Sequence, residues 1–194
     1  TLGFRGEALC SIAAVSRVEL ITVREGENLG VRYLIEGGEE KIFEEAGRAH
    51  GTTFTVRDLF FNTPARMKFL KKDVAEGNAV AGIIDKIAMS HPEISVSFVR
   101  DGKIVMNTQG DGKISSCIYS IYGKDVFEKM IPVDYKLNGI TVSGFINRPE
   151  SARPSRTLQN FFINHRFARI KVAATALEEA FKGFITVGKH PICA

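Results

Sequence analysis

Seven residues at the start of the chain could bind an anion, and they read Gly3-Phe4-Arg5-Gly6-Glu7-Ala8-Leu9. The two glycines permit left-handed backbone and the close approach of a ligand. The segment opens a run of helix formers, EALCSIAAV, and the first amide groups of a helix have no partner within it. Free amides at the positive end of a helix suit the phosphates of a nucleotide. Taken alone, a glycine pair before a helix is more often only a tight turn.

A second candidate lies where hydroxyl groups open a strand, at Gly51-Thr52-Thr53. The run GTTFTVRDLFF alternates apolar and polar residues and predicts a strand over residues 51–61, with Phe54 and Val56 on one face. Hydroxyls at the start of a strand can hydrogen-bond a phosphate or an adenine edge. Threonines are also common in strands that bind nothing.

The third candidate is a basic segment, FFINHRFARIK, in which Arg166, Arg169 and Lys171 could pair with DNA phosphates. Two further cations, Lys71 and Lys72, lie on the flank of the helix that follows the second candidate. Residues 111–194 carry 12 basic and 7 acidic side chains, whereas residues 1–110 carry 14 and 15. The second half could therefore attract a polyanion, or it could simply be a solvated surface with a mild bias.

Other kinds of chemistry find no support in the sequence. Cys10, Cys117 and Cys193 are far apart and lack a C-x-x-C spacing, which favours a reducing environment over a disulfide framework or a zinc site. No Ser/His/Asp or Cys/His set can be recognised. The chain is 44% hydrophobic and 25% charged, as in ordinary globular proteins, and no run is long enough to span a bilayer. We expect no membrane association, and a location in the cytoplasm or nucleoid, or in the nucleus of a eukaryote.

These candidates must be positioned by alternating helices and strands. Gly110-Asp111-Gly112 is the best candidate for a boundary between two parts. Periodicity and capping residues predict helices over residues 7–15, from Pro64 through Val74, and over 78–90, 114–122 and 172–184. Alternation predicts strands over 17–24, 31–35, 41–43, 51–61, 95–99, 104–107, 139–147 and 159–164.

We expect the chain to be a fragment of a longer protein. It has no initiator Met, and it starts within a loop that enters a helix. Its last residues, from His190 to Ala194, begin an apolar run that stops at once.

Taken in this order, the three segments resemble the MutL family of DNA mismatch repair ATPases. GFRGEAL, GTTFTVRDLFFNTPARMKFL and FFINHR are similar to that family's signatures, and the resemblance extends over essentially the whole chain. Asn164-His165-Arg166 stands where many bacterial members have Asn-Gly-Arg, a difference that also occurs within the family.

The resemblance implies an α+β fold in two parts. Residues 1–108 are expected to be the second half of a Bergerat-type (GHKL) ATPase domain, which is an α/β sandwich. Residues 109–194 are expected to be a transducer domain, truncated at its C-terminal end, with a ribosomal-protein-like fold and a left-handed βαβ crossover. Such a crossover is an exception to the usual right-handed connection, so only the resemblance suggests it.

The resemblance also implies a function. In such proteins ATP binding orders a lid and joins two ATPase domains, as a homodimer or a family heterodimer. This changes the contacts with DNA, with a mismatch-recognition protein of the MutS type and with downstream repair enzymes. The lid and phosphate motif corresponds to Gly3–Leu9, and the last nucleotide motif corresponds to Thr52 and Thr53. The expected DNA-binding residues are Lys71, Lys72, Arg166, Arg169 and Lys171.

The resemblance places other parts of the catalytic machinery outside this chain. The family's catalytic Glu and magnesium-holding Asn belong to a helix before Thr1, and a transducer Lys that reaches the terminal phosphate follows Ala194. We therefore expect the parent protein to hydrolyse ATP with Mg²⁺. For the chain by itself we expect no catalytic residue, no bound cofactor or metal, and no activity.

Two alternatives stay open at this point. A passive nucleic-acid-binding module would explain the basic second half but would give no reason for GFRGEAL. The ATPase subunit of a type II topoisomerase shares the two-domain plan and a similar Asn-Thr-Pro-Ala-Arg helix start, although the FINHR segment favours the repair family.

Overall fold

The computed structural model describes residues 6–194 and has the α+β class that the resemblance implied. The chain divides into two compact units, of which the first ends at Lys72 and the second spans Asp73–Ala194. This division lies well before the predicted domain boundary between residues 108 and 109. Spatial compactness and membership of a family domain are different properties, and the boundary at 108 stays a prediction.

The first unit is built around one antiparallel sheet. Its strands are β1 (Arg17–Val23), β2 (Gly30–Glu36), β3 (Glu39–Ala46) and β4 (Gly51–Arg57), and they lie in the order β3-β2-β1-β4. Two short helices flank them in sequence, α1 (Ala8–Ala13) and α2 (Pro64–Met67).

The strand register places an apolar row on one face of this sheet and a cluster of ion pairs on the other. Phe54, Leu20, Tyr33 and Phe43 form one row across all four strands, with the Tyr33 and Phe43 rings 6.0 Å apart. The next row, on the opposite face, contains Arg32. Its guanidinium forms ion pairs with the carboxylates of Glu19 and Glu44, with an N–O distance of 2.8 Å in each. Cross-strand pairs of both kinds stabilise a sheet.

Three predicted boundaries in this unit are wrong. The helix α1 begins at Ala8 and ends at Ala13, inside the predicted range 7–15. The strand β4 ends at Arg57 rather than residue 61, because Asp58 (φ 52°) and Phe60 (φ 68°) adopt left-handed backbone that no strand can continue. β3 is a full strand where only a weak three-residue one was predicted.

The second unit begins with the longest helix, α3 (Asp73–Ser90), which starts five residues earlier than predicted. Val74 therefore belongs to α3 and not to the short helix from Pro64. Asp73 and Glu76 occupy the first turn, where negative charge is favourable. The early glycine, Gly77, lies within the helix, and a methyl group added there would lie 2.7 Å from the Arg100 guanidinium.

The other elements of this unit alternate helices with antiparallel hairpins. They are β5 (Ser97–Arg100), β6 (Lys103–Asn107), α4 (Ile114–Tyr122), α5 (Lys124–Phe127), β7 (Met130–Leu137), β8 (Ile140–Asn147), a 3₁₀ turn (Pro149–Ser151), β9 (Phe161–Ile163), β10 (Arg166–Ala168) and α6 (Lys171–Ala180). The sequence pattern did not predict β7 or β10, and the predicted helix over residues 172–184 is too long, because α6 stops at Ala180.

The last residues of the chain join two parts of this unit. Phe145 and Ala194 exchange both backbone hydrogen bonds, while Cys193 donates to Leu158 and accepts from Asn160. Because residue 193 pairs in parallel with residue 159, the chain between them forms a parallel crossover that includes α6. Its expected left hand stays a prediction.

The core of the second unit lies beneath α4 and the terminal residues. Ile118 and Ile192 are almost wholly buried, as is Asn147, whose carboxamide accepts from the Ile192 amide at 2.7 Å. Within residues 6–194, none of the helices has the length and apolar character needed to cross a membrane.

Candidate functional site

The structure describes only the second part of the predicted anion-binding motif, because Gly3, Phe4 and Arg5 lie outside the described residues. Gly6 has a φ of 74°, a conformation that glycine adopts without strain. Glu7 immediately precedes α1, whose first backbone bond runs from the Ser11 amide to the Glu7 carbonyl at 3.2 Å. Glu7, Ala8 and Leu9 are exposed at this open end of the helix. The described part of the motif therefore has the backbone form that was predicted, while its role in binding stays a prediction.

The turn over residues 58–62, most of which was predicted to be strand, holds the other end of α1. The Asn62 side chain donates to the Ala14 carbonyl at 2.9 Å, and the Phe60 amide donates to the Val15 carbonyl at 2.6 Å. Arg17, the first residue of β1, pairs with Asp58 at 2.9 Å. The turn over residues 58–62 thus fixes the point at which the candidate helix joins the sheet.

The two candidate threonines lie on opposite faces of β4. Thr52 shares a hydrogen bond of 2.8 Å with Thr22 on β1, and Thr53 accepts one of 2.5 Å from Arg48. Adjacent side chains of a strand point to opposite faces, so one small ligand could contact only one of these two hydroxyls. The assignment of both residues to nucleotide binding stays a prediction.

The candidate cations Arg166, Arg169 and Lys171 are all exposed, in the second unit. Arg166 opens β10 directly after a two-residue turn formed by Asn164 (φ 48°) and His165 (φ 63°). Lys171 is the first residue of α6, where the helix dipole disfavours positive charge. The dipole of α6 therefore does not stabilise the charge of Lys171. The other two predicted DNA-binding residues, Lys71 and Lys72, are exposed in the first unit.

The histidine in the basic segment has a contact that no sequence pattern indicated. His165 lies 3.1 Å through Nδ1 from the Ser90 carbonyl, and its ring stacks on that of His91 at 5.9 Å between centroids. His91 in turn lies 3.0 Å from Glu93. These contacts join the β9–β10 turn to the end of α3.

The buried cysteines are poor nucleophiles. Burial raises the pKa of Cys193 to about 12 and also raises the pKa of Cys117. Both thiols donate to backbone carbonyls, Cys193 to that of Asn160 and Cys117 to that of Ala88. They are structural thiols at neutral pH.

The second unit also contains a cavity of about 710 Å³ that sequence reasoning missed entirely. One wall is a face of α3, and the others are residues 156–161, β10 and the start of α6. Its lining includes two of the predicted DNA-binding residues, Arg169 and Lys171. No sequence pattern could have found it, because its walls come from segments up to about a hundred residues apart.

The geometry can be compared with known proteins. Residues 118–194 match the family model described as DNA mismatch repair protein, C-terminal domain. The MutL mismatch repair protein of Agathobacter rectalis is 43% identical over 98% of this chain, and that of Symbiobacterium thermophilum is 42% identical over 100% of this chain. The chain belongs to the MutL family of DNA mismatch repair proteins. It spans about 30% of the length of these curated MutL relatives.

The chain is also similar to solved structures. The ATPase domain of Aquifex aeolicus MutL complexed with ADP is 28% identical, with a TM-score of 0.76 over 89% of this chain and 67% of that one. A crystal structure of the N-terminal domain of a DNA repair protein has a TM-score of 0.81 over 99% of this chain and 63% of that one. At 23% sequence identity, this likeness shows a shared fold and nothing about function.

Proposed function

We propose that this chain is part of an ATP-dependent, dimerising switch that binds DNA and couples mismatch recognition to downstream repair enzymes. The observation that carries the proposal is its similarity, at 28% identity, to a MutL ATPase domain complexed with ADP. The parent protein would be an ATPase acting with a mismatch-recognition partner of the MutS type, as a homodimer or a family heterodimer. Membership of the MutL family favours this function over the topoisomerase subunit and the passive nucleic-acid-binding module.

Within this proposal, Gly3–Leu9 contact the phosphates of ATP, and Thr52 or Thr53 contributes a hydroxyl. The left-handed backbone of Gly6 and the open start of α1 support the phosphate contact. Residues 6–194 contain no group of three His, Cys, Asp or Glu side chains that could hold a metal ion by themselves. The described residues bind and orient the nucleotide, and we derive no step through Mg²⁺.

The test is the ATPase activity of a version of the chain extended at both ends. Gly6→Ala should lower kcat/KM about tenfold, because alanine strains the left-handed backbone that aims the amides at the phosphates. Gly26→Ala is the matched control, since Gly26 lies outside the motif but has a similar φ of 82°, and at both positions an added methyl group would meet no atom within 4 Å. If Gly6→Ala and Gly26→Ala had equal ATPase activity, Gly6 would not be part of the nucleotide site.

We further propose that the chain binds DNA weakly and without sequence preference. Arg166, Arg169 and Lys171 present three exposed cations within six residues, and Lys171 adds its charge to the amide end of α6. Both the lysine and the helix start attract a phosphate, so a bound phosphate would offset the unfavourable position of the lysine. Lys71 and Lys72 are proposed as further contacts from the first unit.

Salt dependence tests this second part. If three to five phosphates are contacted, log K should fall against log salt with a slope of about −3 to −5. The double reversal Arg166→Glu with Lys171→Glu should flatten that slope by about two. A double variant with the slope of the original chain would place the DNA site elsewhere.

A further inference from the structure

The cavity in the second unit has a wall that a glycine keeps open. Gly82 lies in the middle of α3, where glycine costs about 1 kcal/mol relative to alanine. It has ordinary helical backbone, and a methyl group at its Cα would meet no atom within 4 Å. Gly77 on the same helix is different, since a methyl group there would lie 2.7 Å from the Arg100 guanidinium. The absence of a side chain at Gly82 therefore leaves open space at the wall of the cavity.

The lining of the cavity includes hydrogen-bond acceptors. Asn160 is 4% exposed, and its Oδ1 is buried without a hydrogen-bond partner among residues 6–194, while its Nδ2 donates to the Tyr122 hydroxyl. Asp85 also lines the cavity, and burial raises the pKa of its carboxyl group. An unpaired buried acceptor is costly, so a donor supplied by a ligand would stabilise this arrangement.

Cations and an aromatic ring complete the lining. Lys86 lies 4.5 Å from the centroid of the Phe167 ring, and both residues line the cavity with Arg169 and Lys171. A fourth lining cation, Arg156, is neutralised by Glu178 through two hydrogen bonds of 2.6 and 3.0 Å. The remaining three outnumber the single carboxylate, so the lining favours a ligand with negative charge.

We propose that this cavity binds one unstacked nucleotide of single-stranded DNA, an inference that rests on the proposed DNA binding and assigns it a site. Acceptors match the amino groups on the edge of a base, an aromatic and apolar lining matches its faces, and cations match its phosphate. The cavity is within the range of 300–1,000 Å³ that is usual for small-molecule sites.

A strand fits the surroundings better than a free nucleotide does. Arg169 and Lys171 belong both to the cavity and to the exposed basic segment that continues to Arg166. Cations that continue beyond a pocket can bind the phosphates on either side of the inserted nucleotide, which a free mononucleotide lacks.

The experiment measures binding of this chain to labelled oligonucleotides of about twelve nucleotides by fluorescence anisotropy, at about 50 mM salt. Gly82→Leu fills the cavity from its wall, and Ala79→Leu places the same side chain on an exposed position of the same helix. Lys171→Ala and Lys182→Ala are a second pair, because Lys182 is an exposed cation outside the cavity. Oligodeoxycytidine, whose base has an amino group, is compared with oligodeoxythymidine, whose base has none.

We expect Gly82→Leu to weaken binding of oligodeoxycytidine about tenfold, with Ala79→Leu within about twofold of the original chain. Oligodeoxycytidine should bind about threefold more tightly than oligodeoxythymidine, because the amino group of cytosine offers two N–H donors to the acceptors, whereas thymine offers only its ring N3–H. Lys171→Ala should weaken binding more than Lys182→Ala. Circular dichroism of each variant reports whether it has folded.

Three results would overturn the inference. Unchanged binding of oligodeoxycytidine by a folded Gly82→Leu variant would show that the cavity takes no base, and salt-dependent binding of a duplex would then still uphold the DNA proposal. Binding of free deoxycytidine monophosphate as tightly as the oligonucleotide would assign the cavity to a free nucleotide instead of a strand. If neither single strands nor duplex bind, the DNA proposal fails together with this one.

Discussion

The two compact units differ in what covers their apolar side chains. In the first unit, Phe43, Phe54 and Val56 are 69%, 48% and 47% exposed on one face of the four-stranded sheet. In the second unit, Ile118 and Ile192 are 0% and 1% exposed. A sheet with one apolar face normally packs that face against a second layer. In its described part the first unit therefore leaves these side chains largely uncovered, whereas the second has a core of its own.

This difference indicates which contacts stabilise each unit. The first depends on cross-strand pairs, ion pairs such as Arg32 with Glu19, and the turn that holds α1. Such contacts contribute about 1 kcal/mol or less each. The second depends on buried side chains and on the pairing of its terminal residues with β8.

The sharpest way to break the comparison is to truncate one apolar side chain in each unit. Ile118→Ala should lower the free energy of unfolding of the second unit by about 3 kcal/mol, because it leaves a cavity in a closed core. Phe54→Ala should cost the first unit about 1 kcal/mol, since half of that side chain is already in water. Hydrogen exchange of peptides from each unit, measured in urea, separates the two effects. Equal losses would show that the two units are packed alike.

A second prediction concerns the terminal pairing. Gly144→Ala should destabilise the second unit by about 2–3 kcal/mol, because the added methyl group would lie 2.3 Å from the Ala194 carbonyl oxygen at a φ of 140°. Gly139→Ala in the β7–β8 turn should cost about 1 kcal/mol, since its φ is 79° but nothing lies within 4 Å. Urea unfolding followed by circular dichroism compares them. If the two substitutions lowered the free energy of unfolding equally, the last residues would not close the core.

The third prediction tests the turn that holds α1 in the first unit. Asn62→Ala removes the donor to the Ala14 carbonyl and should cost about 1 kcal/mol. Asn78→Ala serves as its control in the other unit, where the lost partner is the side chain of Arg100. Exchange of the amides in residues 8–16 should rise in the first variant and not in the second. Unaltered exchange in both would mean that the turn does not hold the helix.

The smallest effect is a dependence on pH. Hydrogen bonds from Arg156, and further contacts with Gln159 and His190, lower the pKa of Glu178 to about 2. The ionised carboxylate therefore stabilises the folded chain above its ordinary pKa of 4.5, and this stabilisation is lost as the pH falls from there toward 2. Glu178→Gln should lower the free energy of unfolding by about 1 kcal/mol at pH 7, with the difference shrinking below pH 4.5. If the difference in unfolding free energy between the two proteins did not change with pH, the ionised Glu178 carboxylate would not be the source of the stabilisation.

Much of the fold could be predicted from local patterns. The strands β1, β2 and β4 show clear alternation, and α4 ends at Gly123, whose φ is 81°. β7 was not predicted. It contains Pro132, which a strand tolerates where it pairs on one side only, as β7 does with β8 among the described residues. The signal that could have found it is Asn138-Gly139, a dipeptide typical of a two-residue hairpin turn.

The candidate sites could be predicted only in part. The exposure of three cations, Arg166, Arg169 and Lys171, could be predicted from their charge. The left-handed backbone of Gly6 could be predicted from the glycine pair in the Gly3–Leu9 motif. The contact of His165 with Ser90 joins residues 75 positions apart, and the cavity has walls from several separate segments. Such sites arise from tertiary packing, which local spacing does not encode.

Calorimetric titration with ATP and magnesium tests the central claim most directly, because it compares this chain with a version extended at both ends. We propose that the chain contributes only part of the nucleotide site, so the extended version should bind ATP with micromolar affinity and the chain alone should show no measurable binding. Micromolar binding by the chain alone, or none by the extended version, would contradict this account.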